Sequence, residues 1–236
     1  MNKKIYIALS LIIVLGLGTY LCGRSLWVPV YSKVAGRRTV EEVINKIKPE
    51  NEQKLISYFE KKQAIYVPEK IALIGLKEEK ILELWALSHG KWTFIHKYDI
   101  LAASGQSGPK LKEGDKQVPE GIYRIEGLNP NSSYHLSMKV NYPNEFDMKK
   151  AKEDNRQNLG GNIFIHGKAA SIGCIAIGDE AIEEVFLLVN EVGKENVEVV
   201  IAPMDLRNKD MDLSKVQVSW YKELHDRVKI ELNKFR

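Results

Sequence analysis

Two apolar runs of strand length, residues 71–76 and 81–88, are separated only by Lys77-Glu78-Glu79-Lys80. Four polar residues leave room for a tight turn and none for a crossover, so the two runs read as neighbouring strands. Ser88-His89-Gly90-Lys91 is a second turn ahead of residues 92–100, and the three runs together predict a β-meander. Residues 103–119 are rich in Gly, Ser, Lys and Pro and read as a long loop, which in a compact domain is commonly functional. Further strands fit 121–128, 134–140, 163–166 and 197–201, the last stopped by Pro203. Between 144 and 161 the chain is polar, with room for a short helix near 148–154 beside a cleft.

Helices flank this β-rich part. Asp179-Glu180 opens an amphipathic pattern with Ile182, Val185, Phe186 and Val189, and its acidic first turn suits the helix dipole. Gly193 ends it. Trp220, Leu224, Val228, Leu232 and Phe235 form one apolar stripe on a C-terminal helix, read as packing against the domain. Thr39-Val40-Glu41-Glu42 is a capping-box pattern followed by Val43, Ile44 and Ile47. Pro49 is expected to end that helix, and Leu55, Ile56 and Phe59 to mark a second one. The fold class is mainly β with helices, α+β.

The N-terminus bears on compartment. Lys3 and Lys4 precede an apolar run from Ile5 to about Cys22, long enough at 1.5 Å per residue to approach the bilayer core. Trp27 and Tyr31 suit an interface. The run reads as an uncleaved signal anchor, with a cleaved signal or a lipoprotein site at Cys22 as alternatives. The expected division is an anchor over 1–23, a helical juxtamembrane connector over 24–66, a catalytic domain over 67–204 and the C-terminal helix over 205–236. The chain of 236 residues carries a formal charge of +4. Its Lys and Glu interleave without a basic patch, which argues against nucleic acid as a partner.

Chemistry concentrates late in the chain. An apolar strand, Ile163-Phe164-Ile165, runs into His166-Gly167, and Ser171-Ile172-Gly173-Cys174 follows. The second cysteine, Cys22, lies in the apolar N-terminal run, so Cys174 has no evident disulfide partner. An imidazole beside a thiol can take its proton and leave a thiolate that attacks a carbonyl carbon. Backbone N–H groups at Gly173 and Cys174 could receive the oxyanion, Gly167 would leave space beside the base, and Ser171 could orient the loop. The competing reading makes Cys174 a small buried hydrophobe and His166 a satisfied core histidine. His135 alternates with Ser137 on one strand face and is either a cleft-lining group or a polar residue on the outer sheet face. His89, in a turn, and His225, in a charged helical pattern, read as solvated. His96 lies within a strand without a partner. No Cys/His cluster has zinc-ligand spacing, so no metal is expected.

Ser107-Gly108-Pro109-Lys110, Gly114-Asp115, Pro119-Glu120-Gly121-Ile122-Tyr123, His166-Gly167 and Ser171-Ile172-Gly173-Cys174 stand in one order. Asn129-Pro130, Ser133-Tyr134-His135 and Tyr142-Pro143-Asn144 lie among them. This ordered set resembles the L,D-transpeptidase catalytic domain (YkuD) family, in its YafK-like murein branch, over roughly residues 71–203. The resemblance implies Cys174 as the acylated nucleophile, His166 as its base, and the backbone of Gly173 and Cys174 as oxyanion donors. It implies a stem tetrapeptide of peptidoglycan as substrate, loss of D-alanine, resolution by an amine of a second stem, and no cofactor. Expected partners are peptidoglycan stem peptides, the cytoplasmic membrane and a wall-linked protein as acceptor or substrate. The catalytic domain would lie on the extracytoplasmic side.

Two departures matter. Many members carry a histidine where this chain has Ile172, and an arginine where it has Ala176. A substrate-carboxylate contact would then fall to Arg124, Lys110, Lys139 or Arg207. The residues leave two rival readings open. One is a hydrolase with the same site, acting as an L,D-carboxypeptidase or as an amidase that releases a wall-linked protein. The other is a non-catalytic wall-binding module.

Overall fold

The meander forms as its turns require. In the computed structural model, which describes residues 36–236 together with Gly16, β1 (Lys70–Leu76), β2 (Ile81–Ser88) and β3 (Lys91–Asp99) pair antiparallel. Lys80 and His89 take the left-handed conformation at the two turns, with φ of 54° and 53°. Apart from Gly16, the apolar run expected to anchor the chain lies outside the described residues, and among those described no helix is long and apolar enough to cross a membrane.

β8 (Val197–Ala202) lies parallel to β1, and β4 (Gly121–Ser132) pairs antiparallel with β8. β5 (His135–Val140), β6 (Phe164–His166) and β7 (Ile175–Ala176) continue the sheet. The eight strands stand in the order β3-β2-β1-β8-β4-β5-β6-β7, antiparallel except at β1/β8 and β6/β7. The apolar run Val199-Val200-Ile201-Ala202 of β8 follows from its position. It is covered on both faces, so Val199 and Ile201 enter one core while Val200 and Ala202 enter the other.

Four helices cover the sheet: α1 (Val40–Lys61), α2 (Glu145–Glu153), α3 (Asp179–Val192) and α4 (Tyr221–Leu232). On one face Leu55 and Phe59 of α1 and Val185, Phe186 and Val189 of α3 pack with Leu73 and Val199. On the other, Leu224, Val228, Leu232 and Phe235 pack with Ile74, Trp85 and Val200, so the C-terminal stripe is a core face. Each fully buried Leu or Phe contributes on the order of 1.5–3 kcal/mol.

Two expectations are corrected here. Pro49 does not end the first helix, because α1 runs through it. The proline is exposed, and its missing N–H costs one helical bond. Val43, Ile44 and Ile47 before it and Leu55 and Phe59 after it share one buried face, which outweighs that loss. Asn51 Nδ2 donates to Ile47 O at 2.8 Å and to Glu183 Oε2 at 3.3 Å, which fastens the helix to α3 just past the proline. His225, expected to be solvated, is buried at 7% exposure. It lies beside Leu224 and Val228 on the inward face of α4, with Asp226 Oδ1 3.5 Å from its Nδ1.

Candidate active site

The last three strands bring the histidine and the cysteine together. Ser137 of β5 pairs with His166 of β6, and β6 runs parallel to β7 with Ile165 opposite Ile175. Both isoleucines point into the core. Strand alternation therefore turns their neighbours, His166 and Cys174, to the opposite face. Gly173 precedes the thiol with φ of 88°, a conformation that glycine adopts without strain.

His166 is buried at 2% exposure. Its Nδ1 lies 2.6 Å from Gly167 O. A carbonyl only accepts, so Nδ1 carries the proton and Nε2 keeps its lone pair. Burial lowers the imidazole pKa, against the opposing effect of that backbone bond. The Tyr134 ring lies over it with centroids 4.6 Å apart and a 38° tilt. Cys174 is a free thiol whose Sγ donates to Asn162 O at 3.7 Å. Burial raises its pKa, while the Phe164 backbone bond and the charge of Lys110 act the other way. Both shifts favour the neutral forms, and the thiol's hydrogen bond goes to the backbone and not to His166.

The loop around the thiol differs from expectation in three details. Gly173 N donates to Ser104 Oγ at 2.7 Å, and Cys174 N donates to Ser171 Oγ at 3.0 Å. Both N–H groups expected to meet an oxyanion are therefore held by serine hydroxyls. Ser171 Oγ also donates to Cys174 O at 2.6 Å, and Ser104 Oγ to Lys116 O at 2.6 Å. Ser171 is thus hydrogen-bonded to both backbone groups of Cys174. Gly167 does not open space beside the base: a Cβ there would meet Asp179 Oδ1 and Tyr134 O, each at 2.7 Å. Its role is close packing, because Asp179 also accepts from Lys168 N at 2.9 Å and clasps this turn to the start of α3.

His135 is the third correction. Its φ of 74° breaks the strand alternation, and its Nε2 pairs with Glu183 Oε1 of α3 at 2.6 Å. It faces the helix layer, away from the side that Ser137 and His166 share. Tyr134 and Ser104 are the side chains at the site that residue spacing did not assign a role. The loop composition of 103–119 pointed toward Ser104's neighbourhood, whereas Asn162 contributes a backbone carbonyl that leaves no sequence signal.

The four candidate cations separate clearly. Arg207 is spent on Glu83 and Asp205, at 2.8 and 2.6 Å. Lys110 is buried against Asp115 Oδ1 at 2.5 Å, and Lys139 pairs with Glu126 at 2.9 Å. Arg124 makes no ion pair among the described residues. Ala176 is fully buried and its backbone bridges to Ala102. Ile172 stands 74% exposed on the loop beside the thiol.

The model of the L,D-transpeptidase catalytic domain (YkuD) matches residues 69–201. The chain is 31% identical over 158 residues to "Putative L,D-transpeptidase YafK" of Escherichia coli strain K12, a match that covers 65% of this chain and 61% of that protein. The chain thus spans about 61% of the length of the curated relative it matches. Among solved structures, the helical cell shape determining protein Pgp2 of Campylobacter jejuni aligns at 25% identity and a TM-score of 0.47, covering 57% of this chain and 48% of that one. L,D-transpeptidase 1 of Mycobacterium tuberculosis aligns at 10% identity and a TM-score of 0.33, covering 56% and 62%.

Proposed function

Because the chain belongs to the L,D-transpeptidase catalytic domain (YkuD) family, we propose that it is a cysteine acyltransferase of peptidoglycan, with Cys174 as nucleophile and His166 as base. The observation that carries this reading is the free Cys174 thiol on the same sheet face as a buried imidazole whose Nε2 lone pair is uncommitted.

In this reading, Sγ attacks the carbonyl carbon of the third residue of a stem tetrapeptide as its proton passes to His166 Nε2. The C–N bond to the terminal D-alanine breaks, and the leaving amine takes the proton from His166. A thioester remains on Cys174. An amine of a second stem attacks its carbonyl carbon, the C–S bond breaks as the new amide forms, and the proton lost by the amine passes through His166 to Sγ. Water in place of the amine gives a tripeptide and makes the same site an L,D-carboxypeptidase. The N–H groups of Gly173 and Cys174 stabilise each oxyanion once Ser104 and Ser171 release them. An anchor formed by the apolar run from Ile5 to about Cys22 would hold this chemistry outside the cytoplasmic membrane, beside its polymer.

The test is product analysis of the full chain in detergent with disaccharide tetrapeptide as sole substrate. Cross-linked dimer is expected, with tripeptide reporting the share of hydrolysis. Cys174→Ala should lower turnover by at least ~10³-fold, the order of loss when a nucleophile is removed. A folded Cys174→Ala protein that keeps substantial activity overturns the assignment.

A further inference from the structure

A groove of about 1200 Å³ lies on the sheet face that carries α4. One of its walls is Asn162, the residue whose carbonyl holds the Cys174 thiol. From Asn162 the groove crosses β5 and β4 at one level. Val140 N donates to Ile163 O at 2.9 Å, Arg124 N donates to Asn141 Oδ1 at 2.7 Å, and Asn141 N donates to Arg124 O at 3.1 Å. Two strand spacings thus separate Arg124 from Asn162, roughly 10 Å.

The charges in this groove are not equivalent. Lys139 pairs with Glu126 and Lys234 with Glu231, and Lys70, Glu145, Glu195 and Glu198 also line the groove. Two guanidinium groups remain without an ion pair among the described residues. Arg124 projects from β4 and is exposed. Arg227 projects from α4 and lies over the Phe146 ring, 4.6 Å from its centroid. A planar fork of donors is the side chain best matched to a carboxylate.

We propose that Arg124 and Arg227 form a subsite for a free carboxylate on the stem peptide, borne roughly 10 Å from the carbonyl that Cys174 attacks. This rests on the acyl-transfer reading for the identity of the ligand. It makes the two arginines determinants of which stems are accepted. A stem whose side-chain carboxylates are free binds, and one in which they are amidated binds poorly.

Equilibrium binding separates this from the chemistry. The full-length Cys174→Ala protein, which cannot turn over in the proposed scheme, is titrated calorimetrically with a disaccharide tetrapeptide bearing free carboxylates and with its amidated counterpart. The free form should bind roughly tenfold more tightly, about 1.4 kcal/mol. Arg124→Ala and Arg227→Ala, both at exposed positions, should each erase most of that preference, and Arg124→Lys should restore part of it. Equal binding of the two peptides, no measurable binding of either, or a preference that survives both alanine variants overturns the subsite. Loss of turnover in the wild type with this binding pattern intact would instead overturn the acyl-transfer reading.

Discussion

Burial moves Cys174 and His166 apart on the pH axis. It raises the thiol above its ordinary value and lowers the imidazole below its own, so over a wide interval both groups are neutral. In the proposed reaction such a pair would move the proton during attack and not start from a preformed thiolate–imidazolium. The sign for catalysis follows. The base must be unprotonated, and its folded pKa is depressed, so activity persists as pH falls through the ordinary imidazole range near 6.5 and is lost only below it. A kcat/KM profile of the wild type should therefore show its acid limb below pH 6.5, and iodoacetamide should alkylate Cys174 more slowly at pH 7 than a solvated cysteine. An acid limb above the ordinary imidazole value would contradict this. Much at this scale was readable in the residues, since His166, Ser171, Gly173 and Cys174 fall in one short stretch. The orientation of His135 was not, because it depends on a single positive φ that no periodicity encodes. The occupied N–H groups at Gly173 and Cys174 were also hidden, for they depend on Ser104 arriving from a loop about 70 residues away.

Among the elements, the loop over residues 103–119 does most to hold the site, and its anchor is Glu120. This carboxylate is 1% exposed. Oε1 accepts from Lys77 Nζ at 2.8 Å and from Gly108 N at 2.7 Å, and Oε2 accepts from Tyr221 OH at 2.6 Å. One side chain thus joins the β1–β2 turn, the loop that delivers Ser104 to Gly173, and the first residue of α4. Burial lowers the Lys77 pKa, and Glu120 is the leading counterweight. Glu120→Ala would leave that ammonium buried without its partner, so it should destabilise the fold by about 3–5 kcal/mol in urea denaturation. A loss under ~1 kcal/mol would show that the network does not hold the loop. Elements governed by local chemistry were legible before any coordinates. Thr39 Oγ1 accepts from Glu42 N at 3.1 Å while Glu42 Oε2 accepts from Thr39 N at 2.7 Å, the capping box that the pattern announced. The turns of the meander and the stripe of α4 were equally plain. Pro49 misled because the rule that prolines stop helices is local, whereas the packing that carries α1 through it joins residues more than a hundred positions apart. The groove had no sequence signature, since its walls come from five strands and two helices.

At the scale of the whole molecule, α1 enters the domain close to the site. Arg38 N donates to Asn131 Oδ1 at 3.0 Å and Asn131 Nδ2 donates to Arg38 O at 2.8 Å. The segment leading to α1 is therefore tied to the β4–β5 hairpin, three residues from Tyr134, whose ring covers His166. If the apolar run near the N-terminus anchors the chain as proposed, the catalytic face would be held near the membrane surface. A reporter active only after export, fused behind Arg236, should then function, and the protein should stay with membranes through a high-salt wash. Recovery of the full-length protein in the soluble cytoplasmic fraction would contradict the anchor. Whether Cys174 carries the acyl group is decided by mass-spectrometric peptide mapping. The full chain in detergent is mixed briefly with disaccharide tetrapeptide, quenched in acid and digested. A disaccharide-tripeptide adduct is expected on the fragment containing Cys174 and is absent from Cys174→Ala. An adduct on another residue, or undiminished turnover by Cys174→Ala, would contradict Cys174 as the acyl carrier.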